Sequence, residues 1–217
     1  MSIYVLGLNY RTAPVELREQ LAFSREGAAA ALMLFKQQYP ESEAALLSTC
    51  NRVELLVSSS DIDETDLATF LSRARNVPVA SFSNYLYKVS GRQAIRHLFR
   101  VISGLDSMVL GEYQIVNQLK TAYQQAHEAG TAGSVLHRLF HHAFGVSKRV
   151  RTETALGEGK TSVSSVAVRG ASYAAPPAVS PGAGSALRST FPVRVSGSAA
   201  SSTHIDGTMN DGRREPR

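Results

Sequence analysis

The chain has 217 residues, 43% hydrophobic and 19% charged, with one Cys and no Trp. That length can bury a sizeable core in one or two domains, a single thiol excludes an intrachain disulfide framework, and no apolar run reaches the ~20 residues of a membrane span. The net charge of +5 comes from 23 basic and 18 acidic side chains and leans on the last 49 residues, so the chain is not a generic nucleic-acid glue of unopposed Lys and Arg.

The predicted elements run as follows. Residues 3–8 form a short apolar run that reads as a buried strand. Pro14 opens a helix carrying Val15, Leu17, Leu21 and Phe23, and Ser24 caps a second, Ala-rich helix reaching about residue 38. Residues 44–49 and 52–58 read as strands, the second with Val53, Leu55 and Val57 on one face and Glu54 and Leu56 on the other. A helix is expected over 63–75 and a strand over 85–89. This order is β-α-β-β-α-β, the ferredoxin-like split βαβ pattern. Three helices follow, over about 91–103, 112–129 and 133–152. The fold class is therefore α+β, an antiparallel-type sheet with appended helices.

Beyond Val168 the texture changes. Ala, Ser, Gly and Pro make up 27 of the 49 residues from 169 to 217, and Leu, Ile, Val and Phe only 6. Such composition cannot bury enough apolar surface to fold, and Pro176-Pro177, Pro181-Gly182 and Pro192 interrupt any helix. The expected organisation is a domain over 1–155, a linker over 156–168 and a disordered tail over 169–217. The N-terminus lacks the basic flank and apolar stretch of a secretory signal, which makes the cytoplasm the expected compartment.

Thr49-Cys50-Asn51-Arg52 joins two strands with almost no spacer, and Asn51 suits a tight turn with positive φ. Cys50 then sits at a sheet end. A guanidinium two residues on favours the thiolate, which is the nucleophilic form, or forks onto a substrate carboxylate. The competing reading is a small buried hydrophobe. His97, at the border of the apolar and basic faces of its helix, is a candidate acid or base, and equally an exposed histidine without a role. The loop 104–114 holds Asp106, Ser107, Glu112 and Gln114 among glycines and large apolar residues. It reads as the wall of a polar-ligand pocket or as a helix cap over a core, and Gln118 lies one turn beyond Gln114.

Other signals are weaker. His137 and His141 have chelating i,i+4 spacing and His142 adjoins them, but no third ligand is evident. The run 157–161 fails as a phosphate loop because Thr154 stands where its first Gly belongs, and Gly182-Ala183-Gly184 fails as a dinucleotide fingerprint. Arg73, Arg75, Arg92, Arg96, Arg100, Lys148, Arg149 and Arg151 could form basic patches.

The stretches 7–15 (Gly7-Leu8-Asn9-Tyr10 onward), 47–54 (through Thr49-Cys50-Asn51-Arg52), 103–112 (through Gly104-Leu105-Asp106-Ser107) and Arg151-Thr152-Glu153-Thr154 together resemble the catalytic domain of bacterial glutamyl-tRNA reductases, over residues 1 to about 168. The resemblance implies that Cys50 attacks the ester joining glutamate to its tRNA and forms a thioester. It implies that NADPH then reduces the thioester to glutamate-1-semialdehyde, at the start of five-carbon tetrapyrrole synthesis. By motif position, Thr49, Asn51 and Arg52 would hold the glutamyl group. Ser107, Glu112, Tyr113, Gln114 and Gln118 would line its pocket, and His97 would assist. No metal is implied. A glutamate-1-semialdehyde aminomutase is an implied partner, and relatives dimerise through parts not seen here, so a monomer is expected.

Members of this family continue into an NADPH-binding domain after the stretch matching 162–168. Here an Ala/Ser/Gly/Arg tail follows, which reads as a shifted frame in a GC-rich gene; if no other frame after codon 168 encodes a strand and a Gly-rich turn, that reading fails. As written, the chain is expected to form the thioester and lose it to water. The residues alone also allow a non-catalytic tRNA-binding fragment or a generic cysteine esterase.

Overall fold

The computed structural model describes residues 2–154 and Leu156. The expected tail, and the linker apart from Leu156, lie outside the described residues. Four strands form one antiparallel sheet: β1 (Ser2–Asn9), β2 (Glu43–Ser48), β3 (Arg52–Ser59) and β4 (Tyr87–Ser90), in the spatial order β2-β3-β1-β4. Helices α1 (Val15–Leu21) and α2 (Arg25–Gln38) connect β1 to β2, and α3 (Glu64–Arg75) connects β3 towards β4. This is the expected split βαβ topology, with β3 inserted between the parallel pair β1 and β2.

Both faces of the sheet are covered. Leu6 pairs with Leu55 and Leu8 with Val53, and this face packs under α1, α2 and α3, where Phe35 and Phe70 meet edge to face at 5.3 Å. The opposite face carries Val5, Ala45, Leu47, Glu54 and Leu56. It packs against α5 (Gly91–Ile102), α6 (Gln114–Glu128) and α7 (Ser134–Glu153). All eight residues of β3 are consequently buried, although its alternation read as one apolar and one polar face. Glu54 is buried because the appended helices seal the side that would otherwise meet water.

Gly7 sits opposite Glu54 in the β1–β3 register. A Cβ at Gly7 would stand 2.4 Å from the Val53 carbonyl oxygen and 2.9 Å from Glu54 Cγ. The missing side chain is the space the Glu54 side chain uses.

Local signals set the helix ends. Ser24 Oγ accepts from the Gly27 N–H at 3.0 Å, as its position at a helix start requires. Asp63 and Asp66 close a reciprocal capping box at α3. Asn76 ends α3 with φ 54°, the left-handed conformation asparagine tolerates. Two expectations shift. The first helix stops at Leu21, because Ala22 turns to extended backbone, and Phe23 is buried beyond it. The strand expected over 85–89 begins at Tyr87. Pro78 starts a short helix α4 (Val79–Phe82) and a 3-10 turn (Ser83–Tyr85) that use up the preceding residues.

Candidate active site around Cys50

The β2–β3 turn presents Cys50 at the end of the sheet, with the residue exposed. Thr49 builds this turn. Its N–H donates to the Arg52 carbonyl at 2.8 Å, and its Oγ1 accepts from the N–H groups of Asn51 and Arg52, each at 3.1 Å. The hydroxyl thereby closes the turn, and Asn51 does not need the positive φ expected of it: Asn76 is the single described non-glycine residue with one. Tyr10 N–H donates to the Asn51 carbonyl at 2.9 Å, and Arg18 Nη1 donates to the carbonyl of Cys50 itself. Arg18 Nε is held by the Ala13 carbonyl at 3.3 Å, so the first turn of α1 braces the cysteine.

A cavity of about 190 Å³ opens beside the thiol. The β2–β3 turn contributes Thr49, Cys50, Asn51 and Arg52 to it. The loop after α5 and the start of α6 contribute Ser107, Glu112, Gln114 and Gln118. Ordered packing sets this loop against the turn. Gly104 has φ 72°, and a Cβ there would lie 3.0 Å from Gly111 Cα, so the loop doubles back on itself at a glycine pair. The Gly111 N–H donates to the Gly104 carbonyl at 3.0 Å.

Two candidate residues lie elsewhere. Tyr113 is 57% exposed and does not line the cavity; the Arg151 guanidinium stacks 4.4 Å from its ring centroid. His97 does not line it either. Its Nε2 is 3.1 Å from Glu54 Oε1, on the sheet face covered by α5.

Glu54, which the sequence reading did not single out, and Asp106, read there as pocket wall or helix cap, organise a buried ionic network. Arg52, 2% exposed, donates from Nη1 to Glu54 Oε1 at 2.6 Å and to Asp106 Oδ2 at 3.3 Å. Its Nη2 donates to the carbonyl of Asp106 and to Oδ2 at 3.3 Å. Asp106 Oδ1 accepts from Arg11 Nη1 at 2.7 Å, and Tyr87 OH donates to Glu54 Oε1. Burial alone would raise the Glu54 carboxyl. The hydrogen bond to His97, the Arg52 charge and the Tyr87 hydroxyl outweigh it and hold the carboxyl down at about 2. Burial and the Glu54 charge push the Tyr87 phenol up. Arg52 loses by burial but gains more from Glu54, so it stays protonated. Both Nη atoms of Arg52 are thus committed to the protein. The guanidinium fixes the 106–107 loop to the Cys50 turn at the cavity floor. Of the two readings of Arg52, a neighbour that favours the thiolate or a fork for a substrate carboxylate, the second meets Asp106 already on the guanidinium.

Among the described residues no group of three or more His, Cys, Asp or Glu side chains could hold a metal ion. His137 and His141 pack against each other, tilted by 44° with centroids 4.3 Å apart, and the Tyr123 hydroxyl meets His137 Nδ1. No helix of the described residues is long and apolar enough to cross a membrane. The described residues do not fit a nicotinamide dinucleotide: their strand-to-helix turns carry a single glycine, Gly91, where a cofactor loop needs several.

Residues 6–154 match the family model described as the N-terminal domain of glutamyl-tRNA(Glu) reductase. The glutamyl-tRNA reductase of Alkalilimnicola ehrlichii is 48% identical over 168 residues, 77% of this chain and 38% of that protein. That of Alcanivorax borkumensis is 47% identical over 168 residues, 77% of this chain and 40% of its own length. A solved structure of glutamyl-tRNA reductase from Methanopyrus kandleri superposes with a TM-score of 0.62 at 33% identity, covering 79% of this chain and 39% of that one. The chain spans about two fifths of the length of these relatives. With a family match over most of its length, a split βαβ sheet and a matching solved fold, the chain belongs to the glutamyl-tRNA reductase family, through its N-terminal domain.

Proposed function

We propose that this domain carries out the acyl-transfer step on glutamyl-tRNA, with Cys50 as the nucleophile. The observation that carries the reading is an exposed thiol at the mouth of a cavity walled by charged and hydrogen-bonding side chains. Cys50 Sγ adds to the acyl carbon of the ester. The bond from that carbon to the ribose oxygen breaks, and the proton given up by the thiol ends on the ribose hydroxyl. The products are a glutamyl thioester on Cys50 and free tRNA.

The other residues position rather than react. Glu112 supplies a carboxylate for the substrate ammonium, and Arg52, paired with Glu54 and Asp106, holds the turn and loop that wall the pocket. Thr49, Asn51, Ser107, Gln114 and Gln118 provide neutral hydrogen-bonding groups. His97 acts through Glu54 and Arg52, keeping the cavity floor in place, and Tyr113 belongs to the rim outside the glutamyl pocket. Reduction of such a thioester to the aldehyde that feeds tetrapyrrole synthesis would need a hydride donor such as NADPH. No described residue is assigned to that step.

Discharge of radiolabelled glutamyl-tRNA tests the proposal. The full chain should release tRNA in a burst stoichiometric with the protein, and Cys50→Ser should abolish the burst while still binding tRNA. A burst of equal size in Cys50→Ser would overturn the assignment.

A further inference from the structure

The α6–α7 pair carries a cluster that acyl transfer at Cys50 does not use. His137 and His141 stand one turn apart on α7, both exposed. Tyr123 reaches them from α6, with its ring centroid 6.0 Å from that of His137 and 5.9 Å from that of His141. Its hydroxyl lies 2.5 Å from His137 Nδ1.

These contacts prepare the two imidazoles. A histidine that gives its Nδ1 hydrogen to a phenol oxygen keeps a lone pair on Nε2, across the ring, and such a partner is what orients a metal-ligating histidine. His141 supplies the second imidazole at the i,i+4 spacing by which one helix face grips one ion. The turn that carries His137 is itself anchored, since Glu43 of β2 accepts from the N–H groups of Val135 at 3.1 Å and Leu136 at 2.7 Å. Arg138 is turned back along its helix, with Nε donating to the Ser134 carbonyl at 3.3 Å.

The ring separation selects the ion. With metal–nitrogen bonds of ~2.1 Å, the centroid of a ligating imidazole lies roughly 3.2 Å from the metal. Two such centroids are then about 4.5 Å apart at a right angle and about 5.2 Å apart at the tetrahedral angle. The observed 4.3 Å matches the right angle of tetragonal coordination. Cu²⁺ prefers that geometry and binds nitrogen donors more tightly than Zn²⁺ does.

We propose that His137 and His141 chelate one Cu²⁺ ion, with Tyr123 as a positioning residue and water in the remaining positions. Two protein donors make an open, exchangeable site, unlike the three or four donors of a permanent metal centre.

The test titrates Cu²⁺ alone into the full chain carrying Cys50→Ser, so that the thiol neither captures nor reduces the ion. One site per chain should appear, at least tenfold tighter for Cu²⁺ than for Zn²⁺, on the order expected from the affinity series. His141→Ala should weaken it roughly a hundredfold, because the second bond of a chelate forms at high effective concentration. His142→Ala, which removes the adjoining imidazole and not the pair, should change nothing. Tyr123→Phe should weaken it about tenfold while both nitrogens remain bound. Electron paramagnetic resonance should show hyperfine coupling to two imidazole nitrogens in the parent and to one in His141→Ala. Equal affinity in the parent and His141→Ala, an equal loss in His142→Ala, a one-nitrogen spectrum in the parent, or Zn²⁺ binding as tightly as Cu²⁺ would overturn the site.

Discussion

Glu54 is the structural hinge of the site, and neutralising it has a calculable cost. Glu54→Gln removes the charge facing Arg52 at 2.6 Å while keeping nearly the same shape. Arg52, 2% exposed, then retains Asp106 as its sole carboxylate partner among the described residues, at 3.3 Å. The Glu54 carboxyl is held at about 2 in the folded chain. In the unfolded chain it titrates near ~4.3, and that difference corresponds to on the order of 3 kcal/mol of stability. A depressed carboxylate contributes this in full above the unfolded value and loses it as pH falls through the folded value. Glu54→Gln should therefore lower stability by about 3 kcal/mol at pH 7, or roughly 10 °C in melting temperature for a domain this size. The gap between wild type and variant should narrow as pH falls from about 4.3 towards 2. Urea unfolding across that range measures it. Arg52→Met combined with Glu54→Leu should recover part of the loss, since the apolar pair removes both buried charges and Asp106 keeps Arg11 at 2.7 Å. A Gln variant within about 1 kcal/mol of wild type at pH 7, or a gap that does not narrow in acid, would refute the reasoning.

Two further outcomes are expected. Arg18→Ala should slow acylation of Cys50 roughly tenfold with little change in melting, because Arg18 holds the cysteine carbonyl from a half-buried position; Arg18→Lys should recover part of the rate, and single-turnover kinetics separate these cases. Gly7→Ala should cost about 3 kcal/mol in urea unfolding, since the added Cβ meets the Val53 carbonyl, a backbone atom that cannot rotate away.

Much of the fold was legible because apolar periodicity reports burial. The four strands and the long helices of the split βαβ unit follow from it, as do the start of α2 at Ser24 and of α3 at Asp63. The short α4 and the 3-10 turn were not legible, because four or three residues carry no period; Pro78 was the available signal. The residues grouped at Cys50 come from two stretches whose proximity depends on how α5 and α6 fold back over the sheet. Motif resemblance linked them, and spacing did not. Glu54, and the pairing of Asp106 with Arg52, escaped for a related reason. Alternation in 52–58 places Glu54 on the face opposite Leu55, and from sequence that face meets water; it is buried by α5, α6 and α7, which lie far along the chain. Arg52 and Glu54, two apart in one strand and so on the same face, were the visible hint of an internal ion pair. Asp106 lies 54 residues from Arg52, and nothing local announces that contact. At the turn, Asn51 drew the attention that belonged to Thr49, whose hydroxyl does the closing.

The central claim concerns one sulfur atom and one acyl group, and mass spectrometry observes both. The full chain is mixed with glutamyl-tRNA, quenched in acid within seconds and digested. The account predicts a single glutamyl adduct, confined to the peptide containing Cys50 and released by hydroxylamine as a thioester is. No adduct, or one on a peptide without Cys50, would contradict it.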